Sequence, residues 1–424
     1  MTVVSAFAFL VCAVIVASCF RREADVLSPV RIFAFIWALG IGLAELKLSK
    51  YQQVWSTESW IIVLLGPASL LAGLFAVHML DVRSSVTPLS EIRALWRNQP
   101  LRESRLFVAV QALFILFIIG YGGILLTGRQ IPAFAPKPGI ARIAFQLFGI
   151  GLFLHNVLPM VFLTAVYSLR VPGARRRKLS LVLVTAVAAI LYGLTLQRFQ
   201  IVMSFILCAV LLYYATNHLR PRVLAVYLAA VVVFFLSIST VRGGNLFMYY
   251  LYIQSQMTFS PHFAILTEPY MYFVMGIENL ARATRHLENF TYGFYTFDFA
   301  WAITGLKHWL QEYFRIDDTP FLVSGYNTYT MFWDFYRDFG VIGVTAIPCM
   351  FGITIGHIYR SLRRAPTLSW LSAYAVSAFI LLFSFFLNFV SMLWFVYDVV
   401  LLVIIIRWVR LPESWPALQP ASAL

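Results

Sequence analysis

Apolar runs of about 20 residues recur along this chain, and a run of that length with few charges can cross a bilayer as one helix. They are Thr2 to Phe20, Val30 to Leu46, Trp60 to Leu80, Leu106 to Thr127, Ala144 to Ser168, Leu179 to Leu196, Ile201 to Thr216, Val223 to Val241, Phe339 to Tyr359, Trp370 to Phe389 and Met392 to Trp408. Lipid offers a backbone no hydrogen-bond partner, so such runs have to be helical. The expected fold class is an all-α integral membrane protein with about eleven transmembrane helices.

Composition agrees with that class: 61% of the 424 residues are hydrophobic and 12% are charged, outside the range of soluble domains. A net charge of +14 would suit a nucleic-acid partner if it formed a patch. Here the cations sit in short loops between apolar runs, which is the mark of membrane topology. The longest basic loop carries Arg83, Arg93, Arg97, Arg102 and Arg105, and a second cluster is Arg175, Arg176, Arg177 and Lys178. Both mark the cytoplasmic face, which puts the N-terminus outside and the C-terminus inside. Thr2 to Phe20 lacks the basic start and small-residue cleavage site of a signal peptide, so it reads as a first span. Cys12, Cys19, Cys208 and Cys349 all fall in apolar runs and read as small buried hydrophobes. No internal repeat suggests the inverted halves of secondary transporters.

Three regions follow. Residues 1–241 form an N-terminal transmembrane bundle. Residues 242–338 contain no clean span yet are too apolar and aromatic for a free loop, and read as an extracytoplasmic segment of interfacial or re-entrant helices broken near Pro261, Pro269 and Pro320. Residues 339–424 supply the last helices and a cytoplasmic tail, within one membrane domain overall.

Charges placed where charge is costly mark candidate functional groups. Arg198 and Arg242 close two outer helix ends, and two guanidiniums at an interface suit a phosphate or pyrophosphate held bidentately. Arg129 and Arg142, from the outer loop, are candidates to join them. Each of these arginines also has a bland reading, as an anchor to lipid phosphate. Asp398 is the one carboxylate in the middle of a span, open to a proton relay or to a pairing with a hydroxyl or histidine. His78 and His155, within spans, read as hydrogen-bonded packing residues. No HExxH, paired-cysteine motif or nucleotide-type glycine loop occurs, so no metal and no cofactor are expected.

The richest stretch runs from Leu322 to Thr345, LVSGYNTYTMFWDFYRDFGVIGVT. Asp334 and Asp338 share a helix face, with Arg337 beside the second. Tyr292, Tyr326, Asn327, Tyr329, Tyr336 and Arg337 belong to an aromatic run able to stack on sugar faces while their polar groups bond sugar hydroxyls. An interfacial aromatic belt is the alternative. An aspartate just before Phe339 and Gly340 could also simply cap the helix that follows.

The spacing N-T-Y-T-x-F-x-x-x-Y-x-D-F-G-x-x-G, met from Asn327 to Gly343, resembles the signature of bacterial Wzy-type oligosaccharide repeat-unit polymerases. Asn289, Thr291, Tyr292 and Gly293 look like the tyrosine and glycine turn of that family, and Arg198 and Arg242 like its outer arginines. Before Arg198 this chain has Leu196 and Gln197 where the family often has a small-residue turn. The resemblance implies a metal-independent glycosyltransferase of GT-C-like architecture in the bacterial inner membrane, its site facing the periplasm. Such an enzyme moves a growing glycan from undecaprenyl diphosphate onto an incoming lipid-linked repeat unit, with membrane lipid and a chain-length-regulating co-polymerase as partners. On this reading Arg198, Arg242, Arg129 and Arg142 hold the pyrophosphate, and Asp338, then Asp334, are candidates for the base. Two other classes stay open: an O-antigen ligase-like transferase, and a flippase or other transporter of lipid-linked oligosaccharide.

Overall fold

A chain this apolar pairs its backbone groups by winding them into helix, and the structure is helical throughout. It is a computed structural model and describes residues 2–21, 24–80, 87–97, 99–216, 221–243, 246–286, 289–313, 326 and 328–410. Five segments are long and apolar enough to cross a membrane: Thr57–Leu80, Glu103–Leu126, Ile150–Arg170, Arg175–Leu194 and Met331–Arg364. Val3–Cys19, Pro29–Ala44, Phe199–Ala215 and Leu368–Phe383 are shorter apolar helices. Among the described residues strand pairing is limited to isolated bridges, Ser49 with Met257 and Leu101 with Arg410.

The chain opens with an antiparallel hairpin of α1 (Val3–Cys19) and α2 (Pro29–Ala44). Thr2 caps α1 by accepting from the Ser5 N–H at 3.1 Å, and Pro29 stands at the start of α2, where its missing N–H costs nothing. Next come α3 (Thr57–Leu80), α4 (Leu89–Arg97), α5 (Glu103–Leu126) and the short α6 (Pro138–Ala144). A 3-10 turn, Ile150–Asn156, leads into α7 (Val157–Arg170), followed by α8 (Arg175–Leu194), α9 (Phe199–Ala215) and α10 (Pro221–Gly243). Consecutive long helices run in opposite directions, so their ends gather at two poles.

The first pole collects the basic loops. Asp25 accepts from Arg363 at 2.8 Å, from the Tyr359 hydroxyl at 2.7 Å and from the Tyr214 hydroxyl. This joins the approach to α2, the end of α9 and the helix that carries Arg363. Arg93 on α4 reaches the Tyr213 carbonyl, and Arg170 reaches that of Trp96.

The second pole carries the rest of the polar chemistry. Beyond α10 lie α11 (Phe247–Gln254), α12 (Thr267–His286), α13 (Asp298–Thr304) and α14 (Lys307–Tyr313). The sequence reads this stretch as interfacial or re-entrant, and α12 is enclosed by protein rather than laid on a surface. It packs on α2 and α3, and Val274, Met275, Ile277 and Leu280 are fully buried. Its Glu278, also fully buried, accepts from the Gln53 N–H at 2.9 Å and the Trp55 indole at 2.8 Å, which ties down the loop between α2 and α3. A carboxylate in that position is tolerable only because it is paired in this way.

Three helices close the chain: α15 (Met331–Arg364), α16 (Leu368–Phe383) and α17 (Leu393–Val409). α15 runs alongside α3 in the same direction at backbone contact. A β-carbon built on Gly73 would stand 2.1 Å from the Cys349 carbonyl oxygen, and one on Gly352 2.1 Å from that of Leu70. Small residues let helix backbones meet where lipid gives no hydrophobic drive for association. The sequence places the start of this span at Phe339. The helix begins earlier, at Met331, and breaks at Gly340, whose φ of 60° and ψ of −141° are open essentially to glycine alone.

Candidate functional site

The polar groups of the second pole form two assemblies. The first centres on Arg198, in the turn from α8 to α9, where Leu196 takes a φ of +58° to reverse the chain. Arg198 is only 4% exposed. It donates to the Tyr272 hydroxyl at 2.6 Å, to the Ser239 hydroxyl, and through both terminal nitrogens to Glu268 Oε1 at 3.3 Å. Ser239 closes the ring by donating to the same carboxylate oxygen at 2.6 Å. The Arg198 guanidinium also lies 5.4 Å from the centre of the Tyr272 ring. α10 brings Ser239 and α12 brings Glu268 and Tyr272, so two separate elements fix one cation.

Arg142, on α6, is drawn to the same place. Burial holds its guanidinium below the usual arginine pKa, and the positive charge of Arg198 adds to that, while Tyr272 and Tyr192 act the other way. An arginine so placed still stays charged. Its Nε is buried and has no hydrogen-bond partner, and Glu268 Oε2 is likewise buried and unpartnered. Two guanidiniums thus stand close enough to repel, and of the two only Arg198 is paired with Glu268 among the described residues. From Ser104 to Thr267 the chain contains no Asp or Glu at all, so Glu268 is the first acid this stretch of arginines meets.

The other two arginines expected here are placed differently. Arg129 is turned back to the Gln146 carbonyl and closes its own loop. Arg242 lies three residues beyond Ser239 on α10, and its side chain lies outside the described residues, as does Asn327.

The second assembly joins the two stretches that carry the sequence motif. Asp338, fully buried, accepts from the Thr291 hydroxyl at 2.5 Å and the Tyr295 N–H at 3.2 Å on Oδ1, and from the Thr296 N–H at 2.6 Å on Oδ2. The backbone doubles the tie, with Thr291 N–H to the Arg337 carbonyl at 3.2 Å and Tyr292 N–H to that of Asp338 at 3.1 Å. Arg337 donates to the Asn289 carbonyl at 2.9 Å. Asp338 therefore caps the 291–296 turn rather than its own helix, and its lone pairs are largely taken. The turn needs Tyr292 at φ +46° and Gly293 at φ +100°, and the Phe290 ring covers the Gly340 break so closely that no side chain fits there.

Asp334 is the freer carboxylate of the pair. It is partly exposed, with the Asn388 amide beside it and a long hydrogen bond from Ser391 at 3.5 Å. Of the aromatic candidates, Tyr292 is 72% exposed and Tyr336 is half-buried. Tyr329 lies against Trp333 with ring centres 4.0 Å apart. Tyr326 bonds Ser255, and burial pushes its phenol up to about 12, so it acts as a neutral hydroxyl.

A third polar group lies within the bundle. Gln200, two residues past Arg198, bonds His155 Nδ1 and lies beside Asp398. The Asp398 carboxylate is fully buried with no hydrogen-bond partner, and the His155 ring stacks on Trp394. Among the described residues Asp398 forms the expected pairing with neither a hydroxyl nor a histidine, and the Gln200 amide stands between it and His155.

Sequence reasoning missed Glu268, Tyr272 and Ser239. A signal existed for Glu268, as a carboxylate within an apolar stretch beside Pro269; Ser239 and Tyr272 have none of their own. No protein family, no curated protein and no solved structure matches this chain.

Proposed function

We propose that this chain is a Wzy-type polymerase, which transfers a growing glycan from its polyprenyl diphosphate carrier onto an incoming lipid-linked repeat unit at the outer face of the inner membrane. The observation that carries the reading is the approach of half-buried Arg142 to the buried Arg198 in one acid-poor site at the pole opposite the basic loops. On this reading the chain crosses the membrane eleven times in a GT-C-like arrangement, with the pole of α11 to α14 in the periplasm.

In the proposed transfer, the acceptor hydroxyl oxygen bonds to the anomeric carbon and the bond from that carbon to the diphosphate oxygen breaks. The leaving diphosphate keeps the electron pair. Arg198, already oriented by Tyr272, Ser239 and Glu268, meets the charge that grows there without reorganising, and Arg142 has donors to spare. The hydroxyl proton goes to a carboxylate. Asp334 suits this better than Asp338, because it is partly exposed and lacks the three close donors that hold Asp338.

The test is incubation of purified protein with lipid-linked repeat units. A ladder of polymer is expected, and Arg198→Lys should reduce it 10²-fold or more, since one ammonium cannot replace the guanidinium fork. No ladder, or a ladder unchanged in the lysine variant, would overturn the proposal. The buried Asp398, Gln200 and His155 group favours a second reading, a transporter of lipid-linked oligosaccharide. That reading predicts movement of labelled substrate across vesicles with no ladder.

A further inference from the structure

At the first pole, one length of α8 or about 30 Å from Arg198, the turn from α7 to α8 forms an open groove lined by Gly173, Arg175, Lys178, Leu179 and Val182. Its volume of about 460 Å³ suits a headgroup and the first methylenes of a lipid. Gly173 turns the chain with a φ of +78°, and α8 then starts at Arg175 behind Ala174, which offers no side-chain cap. The Arg175 N–H is taken by the Gly173 carbonyl at 2.8 Å and the Lys178 N–H by that of Ala174 at 2.9 Å, so the amides of Arg176 and Arg177 are left at the positive end of the helix dipole beside the groove.

The charges here lack protein counter-ions. Arg175 and Arg176 are exposed and make no hydrogen bond or ion pair among the described residues. Arg177 lies over the Phe107 ring, and Lys178 donates one of its three protons to the Ser168 carbonyl at 3.0 Å. The nearest carboxylate in sequence, Glu103 at the start of α5, forms no ion pair among the described residues. The far wall of the groove is apolar and continues along α8 through Leu183, Val187 and Ile190, all exposed and spaced to share one helix face. α8 is also the least enclosed of the five long apolar segments.

We propose that this groove is a binding site for one anionic glycerophospholipid. Its phosphate lies between Arg175, Lys178 and the amides of Arg176 and Arg177, and an acyl chain follows Leu179, Val182 and Leu183. The helix terminus and cations recognise the phosphate, and the continuous apolar stripe selects a lipid over a free anion. The inference is independent of the reaction proposed at the other pole.

The full chain in nanodiscs of phosphatidylcholine and phosphatidylglycerol, released into detergent and weighed by native mass spectrometry, tests it. One retained phosphatidylglycerol is expected. The double variant R175Q/K178Q should lose that preference by on the order of 10- to 30-fold, as the removal of two cations from an anionic surface implies. The charge-preserving R175K/K178R should keep it. Both pairs lie at the surface, so their melting temperatures in phosphatidylcholine should match the wild type, which separates lost binding from lost fold. Equal retention of phosphatidylcholine, or retention unchanged in the glutamine variant, would overturn the site. Displacement of the lipid by millimolar inorganic phosphate would overturn the lipid as its occupant.

Discussion

Replacing Asp338 by Asn removes one carboxylate oxygen from a buried site where three donors converge, and the structure says what that should do. If the amide oxygen takes the place of Oδ1, it keeps Thr291 and Tyr295, and its NH₂ group then faces the Thr296 N–H that Oδ2 accepted at 2.6 Å. If it takes the other place, the Tyr295 N–H is stranded instead. Either way one hydrogen bond to a charged group is lost, worth about 1.5–3 kcal/mol, and the others weaken to neutral bonds. The expected loss is about 2–4 kcal/mol, enough to free the 291–296 turn from the Gly340 break. Thr291→Val removes one hydrogen bond to the same carboxylate and leaves the others charged, so it should lose less, about 1.5–3 kcal/mol. The assay is thermal unfolding in detergent beside polymer formation from lipid-linked units. Both variants should melt early, in that order, with activity falling as the folded fraction falls. An Asn variant that melts like the wild type but turns over 10²-fold more slowly would refute the tie and make Asp338 the proton acceptor after all.

Arg142→Ala should leave the melting temperature unchanged to within about 0.5 kcal/mol of stability, because the described contacts give its Nε no partner to strand. Polymer formation should fall sharply, and a variant of normal activity would remove Arg142 from the site. Asp25→Ala should destabilise by about 3–5 kcal/mol, since it leaves Arg363 buried without its carboxylate and takes the acceptor from Tyr214 and Tyr359. Unchanged unfolding would mean the first pole is held elsewhere. Gly73→Ala puts a methyl 2.1 Å from the Cys349 carbonyl oxygen, and should lower stability by about 3 kcal/mol or more, as overpacking against rigid backbone does. A silent alanine would show that α3 and α15 do not meet there.

What the sequence made legible follows from the range over which each signal acts. Apolar length is local, and the helices fall where the apolar runs do. The break at Gly340 falls beside the expected start of this span at Phe339, but Met331 to Phe339 carries enough polar groups to look interfacial, and only tertiary contact explains why it also winds as helix: Phe332, Trp333 and Phe335 are buried against the bundle. The burial of α12 was hidden for the same reason, since Glu268 and Glu278 look like surface residues until Arg198 and Trp55 are brought to them. At the site, the stretch around Asp338 was legible as special, but the donors of the Asp338 carboxylate lie more than 40 residues away in the chain. No spacing rule distinguishes a carboxylate that accepts a substrate proton from one that holds a turn.

The acid-free stretch from Ser104 to Thr267 gives the two poles a common logic. Cations in that stretch have no carboxylate of their own to pair with, and burying an unpaired charge is prohibitive. Arg170 and Lys178 settle on backbone carbonyls, while Arg175 and Arg176 remain exposed. Arg198 is enclosed instead, and it can be because α12 carries Glu268 in from outside the stretch. Among the described residues Glu268 pairs with Arg198 alone, and Arg142, close enough to feel the charge of Arg198, has no carboxylate of its own. An anion entering the site would therefore complete the pairing, as well as gain hydrogen bonds from a guanidinium already held in place. On the proposed reading that anion is the lipid diphosphate, whose charge rises as its bond to the sugar breaks, and the deficit beside Arg198 is then largest in effect at the transition state, where catalysis needs it.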